Sequence, residues 1–387
     1  MRILLGCELF YPYVHGGGEV FSYNAARNLA KNGHEVHVIS PRRSFDLPGK
    51  DMPEYSLVEG VHVHRVDGEF RYQQGVQSLP YLVRMFLEAS RIMSEMKFDV
   101  ANAQTFRPCV PIFLAALRHN VPFVGTIYDV YSRGRLFGLE NWVRIYGRFG
   151  VFGWAAENVV LRLPYNGIIT NSEHSKKKIL AHIRNRPVHV VKCGVDLTEF
   201  PRSYPRKVRG RILYLGRLTP YKNIPDLLET AARVKNNRPD VSLVIAGSGP
   251  LESYVENVQS RAENVRFVRK PGDREKVRLL REAEVLVSPS SEEGFGIVLL
   301  EANASYTPFV CYDIPALKEL TSATRGGLLA SHRDVADLAN KILRILDNKS
   351  LCRHLGRTGR RIVETKFSWA RVGPEMEAIY RETIRKP

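Results

Sequence analysis

The sequence predicts an α/β fold made of two doubly wound domains, each a mainly parallel sheet covered by helices on both faces. Two observations carry this. Short apolar runs alternate with helical patterns along the chain, and the alternation breaks once, at 200–209, before it restarts. A third is size, since 387 residues that are 44% hydrophobic suffice for two packed cores.

The elements follow in order. Residues 2–7 are an apolar strand, and after His15, Gly16, Gly17 and Gly18 a helix runs from about 19 to 32. Gly33 stops it, and 35–39 reads as the second strand. Further strands are expected at 61–66, 98–103, 121–127, 166–171 and 187–192, with helices at about 79–97, 109–119, 140–163 and 173–184. Segment 200–209 has Pro201, Pro205 and four cations (Arg202, Arg206, Lys207, Arg209) and no periodicity, which marks a linker. Strands then fall at 211–215, 241–246, 265–268, 284–287 and 308–311. Helices fall at 225–237, 250–262, 273–282, 296–304 and 334–347, and one terminal helical region covers 351–385. The expected division is 1–200, a linker at 201–210, 211–365, and a terminal helix at 366–387. Ligands in such folds bind beyond the carboxyl ends of the strands, so the site is expected in a cleft between the domains.

Composition narrows the compartment. No stretch approaches the roughly 18 apolar residues that cross a bilayer, and Glu8 comes too early for a signal peptide. Cys7, Cys109, Cys193, Cys311 and Cys352 are scattered, which argues against a disulfide framework or zinc knuckle and for the cytosol. The net charge is +17, and residues 101–211 alone hold 18 basic against 6 acidic side chains. A polyanionic partner and a merely solvated basic surface fit this equally well.

Three turns carry candidate chemistry. Strand 211–215 runs into Gly216, Arg217, Leu218, Thr219, Pro220, Tyr221, Lys222 and Asn223. Asn223 is expected to cap the next helix, with Pro225 in its first turn. Arg217 and Lys222 then stand beside a helix N-terminus, where a forked guanidinium and a point charge suit phosphate. Beyond Pro289 come Glu292, Glu293, Gly294, Phe295 and Gly296, a helix starting near Gly296, and Glu301 in its second turn. Carboxylates accept sugar hydroxyls well, each such bond being worth about 1.5–3 kcal/mol. Glu301 is the lone charge among Leu299, Leu300 and Ala302, a place that normally demands a ligand or a partner. Gly247, Ser248, Gly249 and Pro250 form a weaker third turn. Gly16 to Gly18 do not follow their strand closely enough for a dinucleotide fingerprint.

Together these residues resemble the retaining glycosyltransferases of family 4, whose GT-B fold sets two Rossmann-like domains across a central cleft. The likeness rests on Gly16-Gly17-Gly18-Glu19, the run 216–223, the turn 247–250 and the run 289–301 with its two glutamates seven residues apart. Asn171-Ser172-Glu173, Gly194-Val195-Asp196 and Trp369 with the helix after it add to it. The resemblance implies roles position by position. Arg217 and Lys222 hold the donor's diphosphate, helped by the amides of Gly16, Gly17 and Gly18. Glu293 accepts hydroxyls of the transferred sugar, beside the amides of Phe295 and Gly296. Glu301 takes the ribose hydroxyls, and Phe267, Val268 and Arg269 lie along the base. Asn223, Gly294 and Ile297 complete the implied donor-binding set. No metal and no cofactor are implied, because the two cations can neutralise the leaving diphosphate.

The sequence departs from the family at Thr126-Ile127-Tyr128-Asp129, where many relatives have His before Asp. Tyr128 is a poor base near neutral pH, its ordinary pKa being about 10. Cys193 replaces a frequent Asn. No side chain is a convincing nucleophile, so Tyr128 and Asp129 join Glu293, Arg217 and Lys222 only as secondary catalytic candidates. Attack on the face that the phosphate leaves is the expected course, and a covalent glycosyl-enzyme trapped by substituting Asp129 would exclude it.

For the acceptor, 131–165 interleaves Tyr131, Arg133, Arg135, Phe137, Trp142, Arg144, Tyr146, Arg148, Phe149, Phe152, Trp154 and Arg162. Such a segment suits an anionic membrane surface or an amphipathic helix whose aromatics face the core. The expected enzyme moves a sugar from a UDP-, GDP- or ADP-linked donor to a lipid-linked or cell-surface glycan acceptor at the inner membrane face. A sugar-nucleotide epimerase or phosphorylase of the same fold and a non-catalytic sugar-nucleotide sensor are the nearer alternatives. A nucleic-acid binder leaves Glu293 and Glu301 unexplained.

Overall fold

The computed structural model describes residues 1–13, 16–44, 52–70, 79–128, 130, 139–146, 150–183 and 186–385. Asp129, all of 131–138 and 147–149, and with them the expected aromatic and basic positions Tyr131, Arg133, Arg135, Phe137, Arg148 and Phe149, therefore lie outside the described residues. The chain forms two compact units, Met1–Cys193 with Trp369–Pro387, and Gly194–Ser368.

The first unit is built on β1 (Arg2–Gly6), β2 (Glu35–Ser44), β3 (Tyr55–Val58), β4 (Val61–Phe70), β5 (Val100–Gln104), β6 (Phe123–Thr126), β7 (Gly167–Thr170) and β8 (Val188–Val190). They line up as β3-β4-β2-β1-β5-β6-β7-β8, parallel throughout except that β3 runs against β4. The inner strands are buried on both faces, which is why they read as unbroken apolar runs. β3 escapes a reading for core alternation because its large apolar side chains, Tyr55 and Leu57, point into solvent at the sheet edge.

Helices α1 (Gly17–Lys31), α2 (Leu79–Glu95), α3 (Cys109–Arg118) and α6 (Glu173–His182) match the expected segments. The single helix expected over 140–163 is instead two, α4 (Leu139–Tyr146) and α5 (Gly150–Val160). They pack together because the Trp142 ring lies against Gly153, where a Cβ would overlap it. Trp142 Nε1 also donates to Glu157 Oε2 at 2.9 Å.

The second unit is a six-stranded, all-parallel sheet in the order β11-β10-β9-β12-β13-β14. Its strands are β9 (Arg211–Leu215), β10 (Ser242–Gly247), β11 (Val265–Arg269), β12 (Val285–Ser288), β13 (Phe309–Tyr312) and β14 (Gly327–Ala330). Its helices are α7 (Ile224–Asn237), α8 (Glu252–Gln259), α9 (Asp273–Glu282), α10 (Ile297–Ala304), α11 (Pro315–Thr324), α12 (Val335–Asp347) and α13 (Lys349–Lys366). Sequence reading passed over α11 and β14.

The terminal helical region at 351–385 is also two helices, α13 and α14 (Trp369–Arg385). The backbone between them is drawn off into pairing: Phe367 accepts from the amide of Val195 at 2.7 Å, and Ser368 bridges Val195. α14 belongs to the first unit, where Trp369 tilts against Phe21 and Met376 and Tyr380 are fully buried.

The segment expected to be a linker is part of the second unit. Arg281 donates to the carbonyls of Pro201 and Ser203 at 3.1 Å, Arg360 donates to the carbonyl of Phe200, and Lys207 donates to Thr307 Oγ1. Lys207 and the main chain of the segment are bonding groups, whereas a composition-based reading counts the whole run as solvated charge.

Candidate functional site

In the second unit the strand order reverses at β9. From there the chain moves outward through β10 and β11 and then crosses back to β12 on the other side. The turns after β9 and β12 therefore flank the switch point, where ligands of such sheets bind. These turns are 216–223 and 289–296, which carry the residues the sequence singled out.

The two turns and the one after β10 are stitched to one another through the main chain. Gly216 N donates to Ala246 O at 3.0 Å, Leu218 N to Ser248 O at 2.8 Å, and Ser291 N to Tyr221 O at 2.9 Å. Gly247 has φ 152°, and a Cβ there would overlap the Gly216 carbonyl. Only glycine lets these turns approach so closely.

Asn223 does not cap α7. It adopts the left-handed conformation, φ 49°, and its side chain makes no cap bond. Its amide instead donates to Pro289 O at 2.8 Å and Ser291 Oγ at 2.6 Å, tying one turn to the other. A short polar side chain that tolerates positive φ serves this purpose as well as it serves a cap.

The cations are gathered by an aromatic ring. Arg217 Nη2 donates to Tyr221 Oη at 2.6 Å, and the Arg217 guanidinium and Lys222 ammonium lie 6.0 and 5.3 Å from the centre of the Tyr221 ring. Lys222 Nζ is ion-paired with Glu293, both side chains being mostly buried. Ser290 Oγ, fully buried, donates to Glu293 Oε1 at 3.0 Å. Thus Arg217, Lys222 and Glu293 meet in one place, with Tyr221 and Ser290 as supports that the sequence reading did not single out.

Past Glu293, Phe295 is buried and Gly296 starts α10 with φ 91°. Gly294 and Ile297 flank them, half-buried. Glu301 follows in the second turn of α10 and has the partner that its apolar surroundings demand. Lys276 Nζ, from the first turn of α9, lies 2.9 Å from Glu301 Oε1. Nothing in the sequence pairs these two, since they are brought together only by packing of α9 and α10 on the sheet. Burial pulls Lys276 down, but Glu301, Glu199 and Asp273 more than offset it and raise its pKa above the lysine value. Glu199 is raised, first by burial and further by Asp196, Asp273 and Glu301, against the pull of Lys276.

At the end of β11, Val268 is buried, whereas the Arg269 guanidinium is turned onto α8. There it lies 3.0 Å from Glu252 and 2.7 Å from Glu256, while the main chain of the segment pairs with β10 and the amide of Phe267 donates to Gln259 Oε1.

In the first unit the switch point lies at β1, which has β2 on one side and β5 on the other. The glycine turn stands beyond β1, with Gly16 before and Gly17 and Gly18 inside the first turn of α1. Its amides are the ones that a helix leaves without intrahelical partners. Tyr128, after β6, packs beneath this turn: its hydroxyl donates to Gln104 Oε1 at 2.6 Å and lies 3.4 Å from the Gly18 carbonyl. Burial pushes the Tyr128 phenol well above its ordinary pKa. Asp129 lies outside the described residues, and Cys193 is buried.

Two family models together match residues 15–362. "Glycosyltransferase Family 4" covers residues 15–199 and "Glycosyl transferases group 1" covers 198–362. A glycogen synthase of Mycobacterium tuberculosis is 28% identical over 98% of this chain and 94% of its own length. A phosphatidyl-myo-inositol mannosyltransferase of Mycolicibacterium smegmatis is 25% identical over 99% and 94%. Among solved structures, sucrose-phosphate synthase from Thermosynechococcus elongatus superposes with a TM-score of 0.79 at 20% identity, covering 100% of both chains. The Anabaena protein HepE in complex with UDP-glucose gives 0.73 at 17% identity, covering 99% of this chain and 100% of its own. The α/β architecture of two Rossmann-like units and the two matched models agree, and the chain belongs to the GT-B glycosyltransferases of family 4.

Proposed function

We propose that this glycosyltransferase takes its sugar from a nucleoside-diphosphate donor and transfers it with retention of configuration and without a metal ion. The observation that carries this is the grouping of Arg217, Lys222 and Glu293 around Tyr221 at the switch point of the second unit. Two cations and a carboxylate are suited to a diphosphate and the sugar attached to it, and Glu301 to the ribose. HepE, a neighbour in fold, was crystallised with UDP-glucose, which supports this class of donor.

In the proposed reaction the acceptor oxygen bonds to the anomeric carbon on the face from which the phosphate departs. The acceptor's proton passes to the departing phosphate oxygen. Arg217 and Lys222 stabilise the negative charge that builds on the diphosphate. Donor binding has to open the Lys222–Glu293 pair, freeing each partner for its part of the ligand.

Thermal unfolding with UDP-, GDP- and ADP-sugars in the presence of EDTA tests the donor reading. At a hundred times its dissociation constant a ligand stabilises by about 2.7 kcal/mol. One base is expected to stabilise the native chain, and much less the Arg217→Ala variant. No stabilisation by any of them overturns the reading. The product's anomeric coupling, read by NMR, tests retention.

The acceptor reading is a lipid-linked or surface glycan at the cytoplasmic membrane face. It is supported by α5, whose outward residues Val151, Phe152, Ala155, Ala156 and Val159 are all exposed and all apolar. Trp142, half-buried and bonded to Glu157, is turned inward instead. Among the described residues no helix is long and apolar enough to cross a membrane, so contact is expected at the surface. The protein is expected to sediment with anionic vesicles at low salt and Phe152→Asp to reduce this severalfold. Equal sedimentation of both proteins removes α5 from the contact.

A further inference from the structure

Lys276 belongs to none of the motifs, yet it makes the one direct ion pair of Glu301 among the described residues. Its ammonium lies 2.9 Å from Glu301 Oε1 and 3.9 Å from Asp273 Oδ1, while Asp273 itself is almost fully exposed. The Lys276 and Glu301 side chains are only 19% and 13% exposed. A pair this sheltered keeps its geometry, because loosening it would leave a carboxylate poorly solvated. The contact occupies Oε1 and leaves Oε2 without a partner among the described residues.

We infer that Lys276 is a positioning residue for the donor's ribose: it holds the Glu301 carboxylate in one plane and presents Oε2 to the vicinal hydroxyls. This rests on the reading that Glu301 takes the ribose. The chemical class selected is a ribonucleoside diphosphate over its 2′-deoxy counterpart. Arginine at 276 keeps a donor on Oε1. Methionine keeps most of the bulk but removes the cation that offsets the repulsion between Glu301 and Glu199. The carboxylate is then free to rotate, and its hold on a diol is weakened.

The test is calorimetric titration of UDP, GDP and ADP and their 2′-deoxy forms into the full chain, native and variant. The native protein is expected to bind the ribonucleotide of its preferred base at least about tenfold tighter than the deoxy form. In Lys276→Met the ribonucleotide is expected to weaken about tenfold and the deoxy form, which offers only its 3′-hydroxyl, severalfold less, so the preference shrinks. Lys276→Arg is expected to retain the preference. A double variant, Lys276→Met with Glu301→Gln, removes both charges and guards against a folding defect; it is expected to bind both nucleotides alike. Equal weakening of ribo and deoxy forms by Lys276→Met, or an unchanged preference, overturns the role of Lys276 alone. A native protein that does not distinguish the two sugars overturns the ribose reading of Glu301 and this inference with it.

Discussion

Lys207 shows how far a single residue can depart from what its neighbours in sequence suggest. It belongs to a run of cations that reads as solvated, yet its ammonium is buried against Thr307 and burial lowers its pKa from 10.5 to about 7. Glu284 and Cys352 oppose this shift only partly, and Arg281 adds to it. Because the folded value lies below the unfolded one, the unfolded chain binds more protons between about pH 7 and 10.5. Stability is therefore expected to rise with pH across that window, and the cost of the buried charge is present in full below it. Lys207→Met is expected to raise the melting temperature by a few degrees near pH 6.5 and to flatten its rise up to pH 10, as measured by calorimetric melts. Thr307 keeps a partner in the variant, since its hydroxyl already donates to Leu280 O. Asn223 teaches the same lesson at the site. Its type and place signalled a cap, but a residue that tolerates positive φ is equally able to lock two turns, and only its surroundings decide which.

At the scale of elements, the strands and the helices that cover them were legible because a parallel sheet buries both faces and leaves unbroken apolar runs. The failures have physical causes. β3 faces solvent with its largest side chains, and α4 and α5 are two helices within a stretch whose aromatic residues recur without an obvious break. α13 and α14 part where the backbone pairs with Val195. The turns of the second unit behave as one element, because each bonds to the next and Gly247 is the tightest point between them. Gly247→Ala is expected to cost about 1–3 kcal/mol from its φ alone, and more from the overlap with the Gly216 carbonyl. Chemical denaturation would measure the loss. Nucleotide affinity should fall with it, as Arg217 and Lys222 ride on the turn that is displaced.

At the scale of the whole molecule the chain is divided unevenly. The second unit is one continuous stretch, whereas the first needs residues from both ends of the sequence. Arg217, Lys222, Glu293, Lys276 and Glu301 all lie in the continuous unit. A fragment of residues 194–368 is therefore expected to fold by itself and to bind a nucleoside diphosphate, which circular dichroism and titration would check. A chain ending at residue 368 removes Trp369, Met376 and Tyr380 from the first unit, each buried. At about 1.5–3 kcal/mol for each large apolar side chain, that loss is comparable with a domain's whole stability, and the first unit is expected to melt early or not to fold. If the chain ending at residue 368 proved as stable as the full chain, the assignment of α14 to the first unit would be wrong.

The sequence by itself determined the fold class, the family, and the turns that carry the candidate site. Periodicity and turn residues are local properties, and glycines, cations and carboxylates at strand ends are visible as spacing. What the tertiary structure decided are relations between distant residues: Lys276 with Glu301, Tyr221 and Ser290 as supports, Arg269 turned onto α8, Tyr128 bonded to Gln104, and the linker packed into the second unit. Pairings of this kind depend on how helices and turns meet across a sheet, and a buried charge takes its properties from neighbours that the linear order keeps far apart.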